Sequence, residues 1–172
     1  MKLWRTIVSV VVAAATLIVG PTAEASASTG EYCVQDLAGG TQACFTTERA
    51  LESYQAKLSL SPLLTVFQNT GWLGAGGYLN FASAYGRTYC DSATDKNEAS
   101  EGDLNTRTFS NGLTVNKAIS SYVIAANSGC TVAFWNQTGF DGIGVFSGQS
   151  CSDMAICFGM YWNNRARSLA VT

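Results

Sequence analysis

The chain has 172 residues and a formal net charge of −2, and charged residues make up only 13% of it. A nucleic-acid-binding protein would be expected to carry a basic stripe, which this sequence lacks, so we predict that it does not bind nucleic acid. It contains no histidine, which excludes Ser-His-Asp and Cys-His catalytic systems as well as zinc sites with histidine ligands.

The first 27 residues have the pattern of a secretory signal peptide. Lys2 and Arg5 precede an apolar run from Ile7 to Val19, and small residues suitable for cleavage follow at Ala23–Ala25 or Ala25–Ala27. The run is too short for a comfortable transmembrane helix. We therefore predict a secreted, extracellular protein of about 145 residues that is not attached to a membrane after signal removal.

Six cysteines lie in the predicted exported part: Cys33, Cys44, Cys90, Cys130, Cys151 and Cys157. An even number of cysteines in an oxidising compartment predicts three disulfides. The Gly39-Gly40 turn favours Cys33–Cys44 because it can bring two short strands together. Cys151 is near enough to Cys157 to close a small loop, which would pair Cys90 with Cys130, but the sequence leaves other pairings of these four open.

Residues 28–60 are predicted to form an extension outside the main domain. Tyr32–Gln35 and Ala43–Phe45 suggest a hairpin, and Thr46-Thr47 then opens a helix with Ala50, Leu51, Tyr54 and Leu58 on one face. The helix would cover an edge or an end of the β domain.

The remaining chain contains a repeat. Phe67-Gln-Asn-Thr-Gly-Trp-Leu-Gly74 and Trp135-Asn-Gln-Thr-Gly-Phe-Asp-Gly142 share an aromatic residue, a Thr-Gly turn, a second aromatic residue and a final glycine. Each copy predicts a strand, a tight turn and a second strand. The pattern makes Gly74 and Gly142 equivalent positions and places Trp72 and Phe140 in the core.

Further strands are predicted at Leu64–Phe67, Gly76–Phe81, Cys130–Trp135, Ile143–Phe146, Met154–Tyr161 and Leu169–Val171. The first copy holds about 21 extra residues, which we place at Asp91–Gly112. This segment is polar and acidic, which is typical of a solvated loop, although inserted loops of this length often carry function.

The pattern aromatic-x4-aromatic-x-Gly resembles the Greek-key motif of the β/γ-crystallin superfamily. The resemblance continues in Asn116–Ser121 and Asn163–Ser168, which correspond to the family's Asn/Asp-Asn/Asp-x-x-Ser/Thr-Ser stretch. It implies an all-β fold in which two Greek-key motifs, at about 61–126 and 127–172, form one β-sandwich over residues 61–172.

The resemblance also implies a pair of calcium sites between the two facing loops. Asn163 or Asn164 with Ser120 and Ser121 would form one site, whereas the other would pair Lys117 with Arg167, two cations that repel calcium. We therefore predict one weak calcium site at most. The alternative is that the Asn and Ser side chains only bond to nearby backbone.

The carboxylates of the second motif, Asp141 and Asp153, have no spacing that would place them together for glycoside hydrolysis. We therefore predict a monomeric, non-enzymatic protein, either structural or weakly calcium-binding. The alternative is a protease inhibitor, or a small antimicrobial or toxin-like protein, that acts on a partner such as a secreted hydrolase through the Asp91–Gly112 or Cys151–Cys157 loop. Trp162, directly before Asn163, is the aromatic residue most expected to contact a partner.

Overall fold

The computed structural model describes residues 31–90 and 99–172, so the predicted signal peptide lies outside the described residues. Over these two ranges, no helix has the length and apolar character that crossing a membrane requires. The strands are β1 Tyr32–Asp36, β2 Gln42–Phe45, β3 Ser61–Phe67, β4 Tyr78–Ser83, β5 Ala99–Glu101, β6 Ser121–Ile124, β7 Val132–Trp135, β8 Gly144–Ser147 and β9 Ser168–Val171. The α-helices are α1 Glu48–Lys57 and α2 Met154–Cys157.

The strands form two sheets, with the orders β2-β1-β4-β3-β6 and β5-β9-β7-β8. Strands β3, β4 and β6 of the first key share one sheet, but the key's third strand, β5, crosses over and pairs with β9. The second key also pairs with the first sheet, because its Cys151 forms an isolated antiparallel bridge with Tyr122 in β6. Each key thus pairs with the sheet of the other: the first contributes strand β5, and the second contributes the single bridge residue Cys151.

One hydrophobic core fills the space between the sheets. The first sheet contributes Leu64, Val66, Leu79 and Phe81, and the second contributes Val132, Phe134, Leu169 and Val171. Strands β3 and β4 alternate buried and less buried residues over part of their length, as strands with one face on a core do, whereas β9, between β5 and β7, is buried throughout. The predicted all-β sandwich is confirmed.

The N-terminal hairpin and helix are also confirmed, and the hairpin is part of the first sheet. Strand β1 pairs in parallel with β4, with Val34 opposite Asn80, and so covers an edge that β4 would otherwise expose. Helix α1 begins after Thr47, whose side chain accepts a hydrogen bond from the Ala50 amide at 3.2 Å. Its buried Leu51 packs in a small second cluster with Val34.

The three disulfides are Cys33–Cys44, Cys90–Cys130 and Cys151–Cys157. The first joins β1 to β2, as the glycine turn favours. The second links the segment after β4 to the start of β7 and therefore ties the two keys together. The third encloses α2. All six cysteines are paired.

The strand predicted at Met154–Tyr161 is wrong, because the segment begins with a short helix. Asp153 caps α2 by accepting a hydrogen bond from the Ala155 amide at 2.8 Å. Met154 is fully buried beneath this turn. The apolar run Met154–Cys157 therefore packs through one helical turn rather than through strand alternation.

The described part of the predicted Asp91–Gly112 loop is not a solvated loop. It contains β5, and Leu104 and Phe109 are buried in the core. Glu101, read from sequence as a solvent-facing acid, is buried and forms an ion pair with Arg107. Residues 91–98 lie outside the described ranges.

The equivalence of Gly74 and Gly142 is wrong as well. In the register of the two hairpins, Phe67 pairs with Tyr78, whereas Trp135 pairs with Gly144, so the first turn is two residues longer. Gly142 has a φ of +79°, and a Cβ there would collide with the Asn136 side chain. A Cβ at Gly74 would make only ordinary contact, 3.7 Å from the Tyr78 ring.

We therefore expect Gly142→Ala to reduce the free energy of unfolding by about 1–3 kcal/mol, because it combines a strained left-handed backbone with the collision at Asn136. Gly74→Ala is the matched control and should leave stability within about 0.5 kcal/mol of the wild type. Urea unfolding of the two variants measures both values. Equal stabilities would show that the turn at Gly142 does not need a glycine.

Candidate functional site: the paired loops between the keys

Two loops, one before β6 and one before β9, meet across an approximate two-fold axis. The Lys117 amide donates to the Ala166 carbonyl at 2.9 Å, and the Asn164 amide donates to the Ile119 carbonyl at 3.1 Å. Lys117 and Asn164 occupy matching positions, and their φ angles of 54° and 58° are both left-handed. The backbone of the two loops is therefore nearly symmetric, although their side chains differ.

The structure brings together two of the predicted site residues. The Ser120 hydroxyl donates to Asn164 Oδ1 at 3.1 Å, so side chains from opposite keys meet. The pair opens onto a cavity of about 640 Å³, whose other lining residues are Gln68, Asn69, Thr70, Leu73, Lys117 and Ala118. The described lining thus consists mainly of amide, hydroxyl and backbone oxygens, and none of the described residues in it carries a carboxylate.

Ser121 has a different role from Ser120. Its hydroxyl donates to the Asn69 carbonyl at 2.6 Å and accepts from the Trp72 amide at 3.3 Å. Ser168 repeats these contacts in the second key, donating to the Gln137 carbonyl at 2.8 Å and accepting from Phe140 at 3.2 Å. Both serines fasten the folded hairpin of their own key to its last strand.

Two asparagines at matching positions hold buried oxygens without a partner. Asn116 Oδ1 and Asn163 Oδ1 are buried, and neither accepts a hydrogen bond from the residues that the structure describes. A buried amide oxygen left in this state costs free energy. Asn163, a predicted site residue, therefore offers an acceptor that no described residue satisfies.

Lys117 lines the same cavity as Ser120 and Asn164. From the sequence, we predict instead that Lys117 pairs with Arg167 in the second of the two calcium sites. An exposed lysine at the rim adds positive charge to the site that was expected to be the better one for calcium. In the described ranges, no group of three or more His, Cys, Asp or Glu residues could hold a metal ion.

The aromatic residues of the repeat lie differently from their predicted positions. Trp162, expected to be exposed, is only 8% exposed and belongs to the core. Trp72 is 46% exposed and Phe140 40%. The Trp72 indole nitrogen donates to the carbonyls of Tyr122 and Cys151, both at 3.1 Å, so its ring covers the point where the keys exchange strands.

A second cavity of about 460 Å³ lies beside β4 and includes Tyr78, Tyr32 and Glu31 in its lining. Burial first, and then the nearby Tyr32, Glu48 and Glu31 in that order, together raise the pKa of Tyr78 to about 12. The phenol is therefore neutral at physiological pH. The amide of Asn111, also in the lining, already donates to two oxygens of the first hairpin at 2.8 and 2.6 Å.

These features define a disulfide-bonded β-sandwich of two Greek-key motifs that exchange a strand and face each other through paired Asn- and Ser-containing loops. No protein-family model matches the sequence, and no curated protein is detectably similar to it.

Solved structures of βγ-crystallin domains are similar to the chain. The domain from Flavobacterium johnsoniae has 18% sequence identity and a TM-score of 0.41, over 64% of this chain and 93% of that one. A domain from Clostridium beijerinckii has 11% identity and a TM-score of 0.42, over 63% and 95%. The N-terminal domain of protein S has 16% identity and a TM-score of 0.42, over 65% and 96%.

The two fastening serines give a prediction about stability. Ser121→Ala and Ser168→Ala should each lower the free energy of unfolding by about 1–3 kcal/mol, because each leaves a carbonyl and an amide of a hairpin without a partner. Ser53→Ala, on the exposed face of α1, is the control and should change little. Thermal unfolding of the three variants decides the matter, and a stable Ser168→Ala protein would contradict the role assigned to this position.

Proposed function

We propose that the protein is a secreted, non-enzymatic β/γ-crystallin-like domain whose paired loops bind one calcium ion weakly. The observation that carries the proposal is the meeting of Ser120 and Asn164, from opposite keys, at a cavity bordered by oxygen-rich backbone.

The available ligand atoms suit a hard cation. Calcium takes six to eight oxygens at flexible sites and accepts amide, hydroxyl and backbone carbonyl ligands. Ser120, Asn164 and the backbone of Gln68–Thr70 are of this kind, and the unsatisfied oxygen of Asn163 lies next to them in the chain. Because no described residue of the lining carries a carboxylate, affinity should be low.

Arg167 occupies the position in the second key that Ser120 occupies in the first. The Arg167 amide donates to the Trp135 carbonyl at 2.8 Å, as the Ser120 amide donates to the Phe67 carbonyl at 2.9 Å. A guanidinium in this position supplies no oxygen and repels a divalent ion. This asymmetry supports one site per chain.

Secretion and the lack of enzymatic activity rest on separate observations. Three disulfides fit an oxidising compartment. The two carboxylates of the second key are both used locally: Asp153 caps α2, and Asp141 accepts a hydrogen bond from the Gly142 amide at 2.7 Å. Both carboxylates therefore serve the local backbone, which supports a non-enzymatic role.

Calcium titration by calorimetry should show at most one ion per chain. Removing the rim charge by Lys117→Ala should tighten binding about fivefold, the size expected for one charge acting on a divalent ion through water. Lys57→Ala, at the exposed end of α1, removes an equal charge far from the loops and is the matched control.

Ser120→Ala should weaken calcium binding while leaving the folded state intact by circular dichroism. Two ions bound per chain, or undiminished binding by Ser120→Ala, would contradict the assignment of the site. Equal effects of Lys117→Ala and Lys57→Ala would show that only net charge matters.

Inhibition of a secreted hydrolase is the second candidate function, and the Cys151–Cys157 loop favours it. Ile156 lies inside this disulfide-closed loop and is 81% exposed, and Met160 and Tyr161 beyond it are exposed to 84% and 81%. Apolar side chains presented on a constrained loop suit insertion into a partner. The Asp91–Gly112 segment is a weaker candidate for the inhibitory loop, because its part from Ala99 onwards belongs to the sandwich.

The inhibitor hypothesis predicts that the immobilised protein retains a hydrolase from culture supernatant whether or not calcium is present. Ile156→Asp should abolish retention, since it places a charge where an apolar contact is required. Leu113→Asp, at another exposed apolar position, is the control. Equal retention by both variants would point to non-specific adsorption.

A further inference from the structure

Strand β8 forms an open edge of the second sheet. It pairs with β7 on one side, and among the described residues no backbone group bonds to its other side. The edges of the first sheet are protected by comparison. Cys151 exchanges two hydrogen bonds with Tyr122 in β6, both at 2.9 Å, and the Gln42 side chain in β2 binds the backbone of Thr108.

The register shows which groups of β8 point outward. The Asn136 amide donates to the Ile143 carbonyl at 3.1 Å, so in the alternating antiparallel ladder Val145 also bonds towards β7. Gly144 and Phe146 then direct their amides and carbonyls away from the sheet. Two donors and two acceptors therefore lie on the open edge, at spacings that match an antiparallel strand.

This edge lacks the features that usually prevent pairing. Soluble proteins protect edge strands with charges, proline or bulges, yet residues 142–152 contain neither a charged residue nor a proline. Ile143 and Phe146 are exposed to 66% and 58%. On the outer face, the rings of Phe140 and Phe146 flank Trp135, with centroids 5.4 and 5.7 Å from it.

We propose that β8 is a homodimer interface, in which two copies of the chain pair their β8 strands antiparallel about a two-fold axis at Val145. The outward groups favour a second copy because they are self-complementary. In this register Gly144 of each copy lies opposite Phe146 of the other, and up to four backbone hydrogen bonds form. The second sheets of the two copies become one continuous sheet, which is an isologous contact that closes.

The aromatic side chains add to this pairing. Phe146 of one copy faces Gly144 of the other, where the Trp135 ring of that copy lies over the glycine, so the two rings come together. The two groups of Trp135, Phe140 and Phe146 then adjoin on the outer face and remove exposed apolar surface from water. The proposed dimer differs from the monomer that the sequence analysis predicts.

Sedimentation equilibrium of the mature, disulfide-bonded protein tests the proposal and should show a monomer–dimer equilibrium. Phe146→Lys should raise the dimer dissociation constant about 100-fold or more, because two like charges meet near the axis. Ile156→Lys, at an exposed apolar residue in α2, is the matched control and should leave it unchanged. A purely monomeric wild type, or equal losses in both variants, would overturn the proposal.

A second measurement tests the register and does not depend on how well Phe146→Lys folds. Val145 would face its own counterpart as a non-hydrogen-bonded pair, with Cα atoms about 4.5 Å apart, which is within the range for a disulfide. Val145→Cys should therefore form a covalent dimer under mild oxidation, with the three native disulfides retained by peptide mapping. Ile156→Cys, which lies outside the proposed interface, should form no covalent dimer under the same conditions. If the wild type dimerises but Val145→Cys forms no disulfide between the two copies, the proposed pairing is overturned.

Discussion

The exchange of third strands between the two keys is the constraint on which the rest of the fold depends. Strand β5 of the first key completes the second sheet, and Cys151 of the second key closes the edge of the first. Because each sheet needs residues from the other key, the apolar faces are held opposite each other and one core forms. The same exchange brings the loops before β6 and β9 together, so the candidate site is a consequence of the fold's symmetry.

The repeat and the cysteines were sufficient to predict most of this architecture. Glycine turns, alternating strands and the N-terminal helix are local features, and the structure has them where the sequence indicates, except for the strand predicted at Met154–Tyr161. The exchange was missed because β5 is only three residues long and lies in a segment whose acids suggested solvent. Glu101 is in fact neutralised by Arg107, a contact six residues away that composition cannot show. The length of the first turn was missed for a related reason: the register of a hairpin is set by its strands, so matching glycines by sequence spacing misplaced Gly74.

Adjacent serines illustrate what could be predicted about the site. Successive residues entering a strand point to opposite sides, and the structure uses Ser120 towards the facing loop and Ser121 towards its own hairpin. The sequence held a usable signal for this difference, since Ser121 matches Ser168 in the second copy whereas Ser120 matches Arg167. The serine found in both keys, Ser121 and Ser168, holds the folded hairpin that both keys have. The position that differs, Ser120 and Arg167, faces the other loop, where only the first key supplies a hydroxyl. Comparing the two copies could not predict that Lys117 lines the same cavity as Ser120 and Asn164, because this position depends on the contact between loops from different keys.

The two halves therefore share a backbone and differ in the chemistry placed upon it. In the first key the open edge of β4 is covered by β1, and the loop before β6 presents a hydroxyl to the facing asparagine. In the second key the corresponding strand, β8, has no such cover within the described chain, and the loop before β9 presents a guanidinium. An added hairpin is needed only where an edge must be protected from pairing. Its presence on one key and absence from the other leaves an asymmetric molecule, with its calcium-compatible oxygens gathered on one side of the approximate axis and its uncharged edge on the second sheet.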